Sequence, residues 1–133
     1  MEMTAWESER ARIDGWKSKA KQAPFVKAPI KLAVAHKADH DSRDPDVIEA
    51  YCLKGLAIHR PYGGISGSWR IIHIASGRSI EAAFKFLIDA KVAVLRIAEM
   101  VDWTQSGDAV RDAMTDDLYE RLSDIRCDPY ANI

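Results

Sequence analysis

Cysteine is nearly absent from this chain: Cys52 and Cys127 are the only two among 133 residues. Two cysteines allow one disulfide and exclude a disulfide framework, and the expectation is a pair of reduced thiols in a cytoplasm. Long apolar runs are missing as well. The most apolar stretch, Phe84 to Val101, is interrupted by Lys85, Asp89, Lys91, Arg96 and Glu99, so it cannot span a bilayer cheaply. The first residues, Met-Glu-Met-Thr-Ala-Trp-Glu, have none of the apolar character that export requires, and no membrane association is expected. Neither sign of charge is in excess. With 19 Lys/Arg against 20 Asp/Glu the net charge is −1, which gives no bulk argument for nucleic acid or membrane binding. No internal repeat or low-complexity segment interrupts the chain.

The composition, 47% hydrophobic and 29% charged, is that of a globular protein rather than a disordered one. A chain of this length fits one domain, burying roughly two thirds of the surface its unfolded form exposes. Three regions are expected within it: an N-terminal helix over 1–23, a sheet region over 24–83 and a helical region over 84–133.

Thr4 followed by Glu7 forms a capping box, and the segment to about Lys21 is expected to be a helix with Trp6, Ile13, Trp16 and Ala20 on one side. Gly15 weakens that helix by about 1 kcal/mol relative to alanine, so it depends on docking. Pro24 and Pro29 bracket a connector. Ile30, Leu32 and Val34 then alternate with Lys31, Ala33 and Ala35, the period of a short strand. The stretch from His36 to Asp46 has the composition of a solvated loop. Asp44-Pro45 predicts an N-cap with proline in the first turn, opening a short helix toward Tyr51.

Cys52 to Arg60 and Ser68 to Ala75 flank a Gly-rich segment and predict a hairpin, after which Ser76-Gly77 turns the chain into a third strand, Arg78 to about Ala82. Connections this short make the sheet antiparallel. Phe84 to Asp102 predicts a helix buried on a wide arc. Ser106 caps a final helix that Thr115 is placed to divide. The expected fold is therefore α+β, with an N-terminal helix, a small antiparallel sheet of three or four strands and two C-terminal helices.

Charge is unevenly distributed along this plan. Residues 1–43 carry nine Lys/Arg and six Asp/Glu, residues 44–98 seven and five, and residues 99–133 three and nine. Within the last segment Asp108, Asp112, Asp116, Glu120 and Asp124 recur at every fourth position. Like charges at that spacing are helix neighbours and repel by about 0.2–0.5 kcal/mol per pair. Val110, Met114, Leu118 and Leu122 run two positions behind, on roughly the opposite face, so the acids are expected to form a solvent-facing ridge. One charge per about 6 Å of helix is a sparse imitation of a phosphate row, suited to a basic surface.

Other constellations carry chemistry less directly. His36 and His40, with Asp39, Asp41 and Asp44 nearby, could face one metal ion if helical, but no cysteine or third histidine supports them, and no cofactor or metal is expected. Pro45-Asp46, with Glu81 and Lys85 further on, partly follows the order of a metal-dependent nuclease, yet no Asp/Glu-x-Lys triplet falls on a predicted strand. His59 and His73 lie in neighbouring predicted strands, with Ser66, Ser68 and Ser76 close in sequence, a nucleophile-and-base set lacking any evident group to orient the base. The loop Gly63-Gly64-Ile65-Ser66-Gly67 joins strand to strand, which favours a hairpin loop over a phosphate cradle.

Arg60, Tyr62, Trp69, Arg70 and Arg78 place basic and aromatic residues on or beside the hairpin, one way to hold nucleic acid. The expected helix, three strands, helix order from Pro45 to Asp102 resembles the topology of the double-stranded-RNA-binding domains. That family carries a lysine-rich start to its last helix, where this chain has Phe86-Leu87-Ile88-Asp89-Ala90-Lys91.

In size and charge pattern the chain resembles the small phage- or plasmid-borne inhibitors of the anti-restriction and anti-CRISPR style. That resemblance implies a non-enzymatic binding protein docking an acidic helix, Asp108, Asp112, Asp116, Glu120 and Asp124, on the basic nucleic-acid-binding surface of a host defence complex. The alternative expectation is a small nucleic-acid-binding module that uses Arg60, Tyr62, Trp69, Arg70 and Arg78.

Overall fold

The computed structural model describes residues 4–31, 47–60 and 68–133. Helix α1, Ala5–Gln22, begins where expected: the Glu7 N–H donates to Thr4 Oγ1 at 3.1 Å, satisfying one of the end donors a helix leaves open. Its narrow apolar stripe docks only in part. Ala20 is buried, Ile13 and Trp16 are half-buried, and Trp6 is 65% exposed. The Trp16 ring is held between the Lys19 ammonium at 4.6 Å and the Arg96 guanidinium at 5.8 Å, which ties α1 to the second helix.

Five strands follow in a continuous antiparallel meander, β1 Val26–Lys31, β2 Val47–Leu53, β3 Leu56–His59, β4 Trp69–His73 and β5 Arg78–Phe84, each paired with its neighbours in sequence. The sheet has five strands where three or four were expected, and it departs from the expected plan in two ways. The first strand starts earlier than its alternating pattern suggested and includes Pro29, which an edge strand tolerates because the missing N–H belongs to its unpaired side. The continuation of that pattern, Leu32 and Val34, lies outside the described residues. The second difference, which supplies the additional strand, is a turn inside the segment expected to be one strand. Lys54 and Gly55 both have positive φ, 50° and 87°, the two-residue turn whose twist suits a hairpin, and β2 and β3 pair across it.

The short helix expected to run toward Tyr51 is absent over residues 47–51, which are strand. Ile48 and Ala50 face one side of the sheet, Glu49 and Tyr51 the other, and register against β1 fixes the alternation. The double-stranded-RNA-binding topology therefore does not hold, because a strand stands where its first helix was expected.

After β5 come three helices rather than two: α2 Leu87–Ala98, α3 Gly107–Ala113 and α4 Asp116–Cys127. Helix α2 is buried on a wide arc through Ala90, Val92, Ala93, Val94 and Ile97 and packs with α4 across the face of the sheet that carries Leu56, Ile58, Ile71 and Phe84. A smaller apolar cluster of Ile30, Ala50, Ala57 and Ile72 occupies the opposite face. No described helix is long and apolar enough to cross a membrane.

Candidate functional site

The expected acidic helix is two helices. Ser106 Oγ accepts from the Ala109 N–H at 3.2 Å and opens α3, and Thr115 Oγ1 accepts from the Leu118 N–H at 3.2 Å and opens α4. Met114 and Thr115 between them are extended. The row of acids is therefore interrupted: Asp108 and Asp112 sit on α3, and Asp116, Glu120 and Asp124 on α4.

All five carboxylates are exposed, and some have local partners. Asp108 pairs with Arg111, and Asp124 Oδ2 accepts from the Asn132 amide at 3.1 Å. Asp108 and Asp116 fall in first turns, where the positive end of the helix dipole favours a carboxylate. Part of the periodicity thus has a structural cause, the capping of two short helices in succession. Asp112 and Glu120 have no such local role.

Of the four described hairpin residues proposed for nucleic acid, Arg60 and Trp69 are brought together and Arg70 and Arg78 are not. Arg60 lies over the Trp69 ring at 4.4 Å, and Trp69 tilts against Tyr51 at 6.1 Å. Arg70 pairs with His59 on the opposite face of the sheet. Arg78 pairs with His73 at the far end of β4, and Tyr62 lies outside the described residues. The Tyr51 ring is also approached by Lys27 at 6.0 Å and Lys91 at 5.2 Å, so cations of the chain itself already lie against the aromatic rings.

His36, His40, Asp46 and Ser66 also lie outside the described residues. Glu81 and Lys85 do not converge: Glu81 accepts from Arg126 at 3.2 Å, and the Lys85 ammonium lies 5.6 Å from the Phe86 ring. His59 is buried on the face that carries Ala57, whereas His73 is buried on the helix-covered face among the residues around Leu56.

At His73 the structure supplies what the sequence left missing. The β4–β5 turn returns Ser76 to within 2.8 Å of His73 Nδ1. The other ring nitrogen, Nε2, is 2.9 Å from both the Trp103 and Gln105 carbonyl oxygens. Carbonyls only accept, so Nε2 carries a proton, and in the neutral ring Nδ1 is the acceptor facing the Ser76 hydroxyl. The loop that presents these carbonyls is itself braced. Asp102 Oδ1 accepts from the Thr104 N–H at 3.0 Å and its hydroxyl at 2.5 Å, bonds that hold the Asp102 carboxyl below its ordinary pKa. The Gln105 amide donates to the Asp102 carbonyl at 3.0 Å.

His73 and Ser76 open on a groove of about 730 Å³ between β5, α3 and α4. Ile80, Met114 and Leu122 give it apolar walls, and its charged lining is Arg78 with the pairs Arg111–Asp108 and Arg126–Glu81. On its rim Glu81 holds a φ of 61°, a left-handed conformation uncommon for such a residue. It sits where three residues of β5, Ile80 to Ala82, lie opposite one of β4, Ile71. This groove drew no attention in the sequence, because its residues come from three separated segments. The only advance signal was Ser76 three residues after His73.

No protein-family model matches the chain, no curated protein matches it in sequence, and no solved structure matches its fold.

Proposed function

We propose that the protein acts by binding, presenting the outer face of α3 and α4 to a basic surface on a partner protein of the kind that holds nucleic acid. The observation that carries this reading is the exposure of Asp108, Asp112, Asp116, Glu120 and Asp124 on two consecutive helices, in a segment with three arginines for nine acids. Although they are divided between two helices, each helix keeps exposed acids of its own, and every carboxylate within a Debye length of about 8–10 Å of a basic surface adds to the attraction. The reading fits the pattern of the mobile-element inhibitors the chain resembles in size and charge.

The test is a pull-down from source-cell lysate using the wild type and the reversal of Asp112, Asp116, Glu120 and Asp124 to Lys, with circular dichroism to check that both fold. The expected result is a nucleic-acid-handling protein retained by the wild type, released by added duplex DNA and lost from the folded reversal. Equal retention by both baits overturns the reading.

A further inference from the structure

We propose that Ser76 is an activated nucleophile, with His73 as its base, and that the groove beside it takes an activated carboxylic ester with an apolar acyl chain. This goes beyond the docking face and does not depend on it.

The argument begins with hydrogen-bond bookkeeping. A serine hydroxyl is a weak nucleophile unless a base stands ready for its proton, and a base works best when a third group fixes its ring and tautomer. Ser76 Oγ and His73 Nδ1 are 2.8 Å apart, within proton-transfer reach. Two main-chain carbonyls at 2.9 Å hold the far nitrogen. They fix the tautomer that leaves Nδ1 free to accept, and their dipoles face the charge that forms when it does. A carboxylate plays this part in the familiar serine triads; here two neutral oxygens share it.

The hydroxyl is oriented from its other side too. Ser76 Oγ accepts from the Arg78 N–H at 3.2 Å, and its own proton has two acceptors, the His73 carbonyl at 3.4 Å and His73 Nδ1 at 2.8 Å, of which the imidazole is the nearer. Burial of His73 at 5% exposure keeps water from competing for Nδ1, while Ser76 is only half-buried and faces the groove. The apolar walls at Ile80, Met114 and Leu122 suit an acyl chain.

The reaction follows from that geometry. Ser76 Oγ bonds to the acyl carbon as its proton passes to His73 Nδ1. The tetrahedral adduct then breaks its bond to the leaving oxygen, which takes the proton from Nδ1 and departs as an alcohol. The products are an acyl-serine and a neutral imidazole, one acyl group per protein.

The folded protein is treated with p-nitrophenyl octanoate and, separately, with a fluorophosphonate probe, and the modified residue is located by peptide mass spectrometry. One equivalent of acyl group on Ser76 is expected, with none in Ser76→Ala and a rate at least about 100-fold lower in His73→Gln, the scale of a lost general base. Absence of an adduct at Ser76, or equal rates in wild type and folded His73→Gln, overturns the proposal. If His73→Gln does not fold, Ser76→Cys decides. A thiol beside Nδ1 alkylates with iodoacetamide at least about tenfold faster than the exposed Cys127; an equal or slower rate overturns the proposal.

Discussion

Gly55, in the turn between β2 and β3, packs directly against the backbone of Trp103. A Cβ built on Gly55 would fall inside contact distance of the Trp103 carbonyl and 2.8 Å from the Thr104 nitrogen. The same carbonyl receives His73 Nε2, so this turn backs the loop that orients the imidazole. Gly55→Ala adds a methyl group where neither backbone can yield and places it at a φ of 87°. Each effect costs about 1–3 kcal/mol, and the sum is expected as a clear drop in the urea midpoint. An unchanged midpoint would show that the loop gives way at no cost.

Tyr130 carries a pH dependence of stability. Its hydroxyl donates to Asp89 Oδ1 at 2.6 Å. Burial first, then the Asp89 hydrogen bond and charge, then the charge of Asp128, push the phenol above its ordinary pKa. The folded state therefore holds the proton more tightly than the unfolded one. The resulting stabilisation is complete below the ordinary tyrosine value near 10 and is lost as pH rises through the folded value. Tyr130→Phe should be less stable at neutral pH and decline less steeply above about pH 10. Urea midpoints across that range measure both, and parallel declines in the two proteins would contradict the assignment.

The two thiols should differ sharply in reactivity. Cys127 is exposed at the end of α4. Cys52 is half-buried in β2, its thiol 3.7 Å from the Ala50 carbonyl, and burial raises its pKa. Thiolate is the reactive form, so a disulfide reagent at neutral pH should titrate the native protein in two phases, about tenfold or more apart. The fast phase belongs to Cys127 and disappears in Cys127→Ser, while denaturant merges the two. A single fast phase for both thiols in the native protein would contradict this.

The acids of α3 and α4 divide by mutational response. Asp116 sits in a first turn capped by Thr115. Asp116→Asn should lose about 0.3–1 kcal/mol and Thr115→Ala about 1 kcal/mol. Asp112→Asn and Glu120→Gln, exposed and without a local partner, should change stability by no more than about 0.5 kcal/mol. Thermal melts at low and high salt separate the classes, because only the dipole contribution at Asp116 is screened away. A uniform response across the three acid variants would mean that the row acts as one electrostatic unit.

How far sequence reached depended on whether the deciding interaction was local. The caps at Thr4 and Ser106 are legible because each is a side chain bonding a backbone group three residues on, whereas Thr115 stands out in the sequence only as a point where the last helix could divide, and its capping role comes from the structure. The buried arc of α2 was legible because periodicity within one element decides it. The strand at Val47–Leu53 is not legible locally, since Asp44-Pro45 signals a helix start and the competing signal is pairing with β1, more than 20 residues away at Lys27↔Tyr51. The Lys54-Gly55 turn was passed over because lysine is an unusual first partner for glycine there. The groove was least legible of all: the carbonyls of Trp103 and Gln105 have no side-chain signature, and they reach His73 only once the turn at Gly55 and the loop at Asp102 are both in place.

Among the described residues, the same meander that places His73 leaves β1 and β5 as the two edge strands. Bare strand edges invite self-templated stacking into fibres. On β1 the interrupting residue is Pro29, between Lys27 and Lys31, so an incoming strand would meet a missing donor and charged side chains. On β5 it is the bulge at Glu81, whose left-handed backbone breaks the straight run of hydrogen-bonding groups. Both edges thus disfavour edge-to-edge strand addition, and the distortion that shapes the rim of the groove is the same one that interrupts the β5 edge.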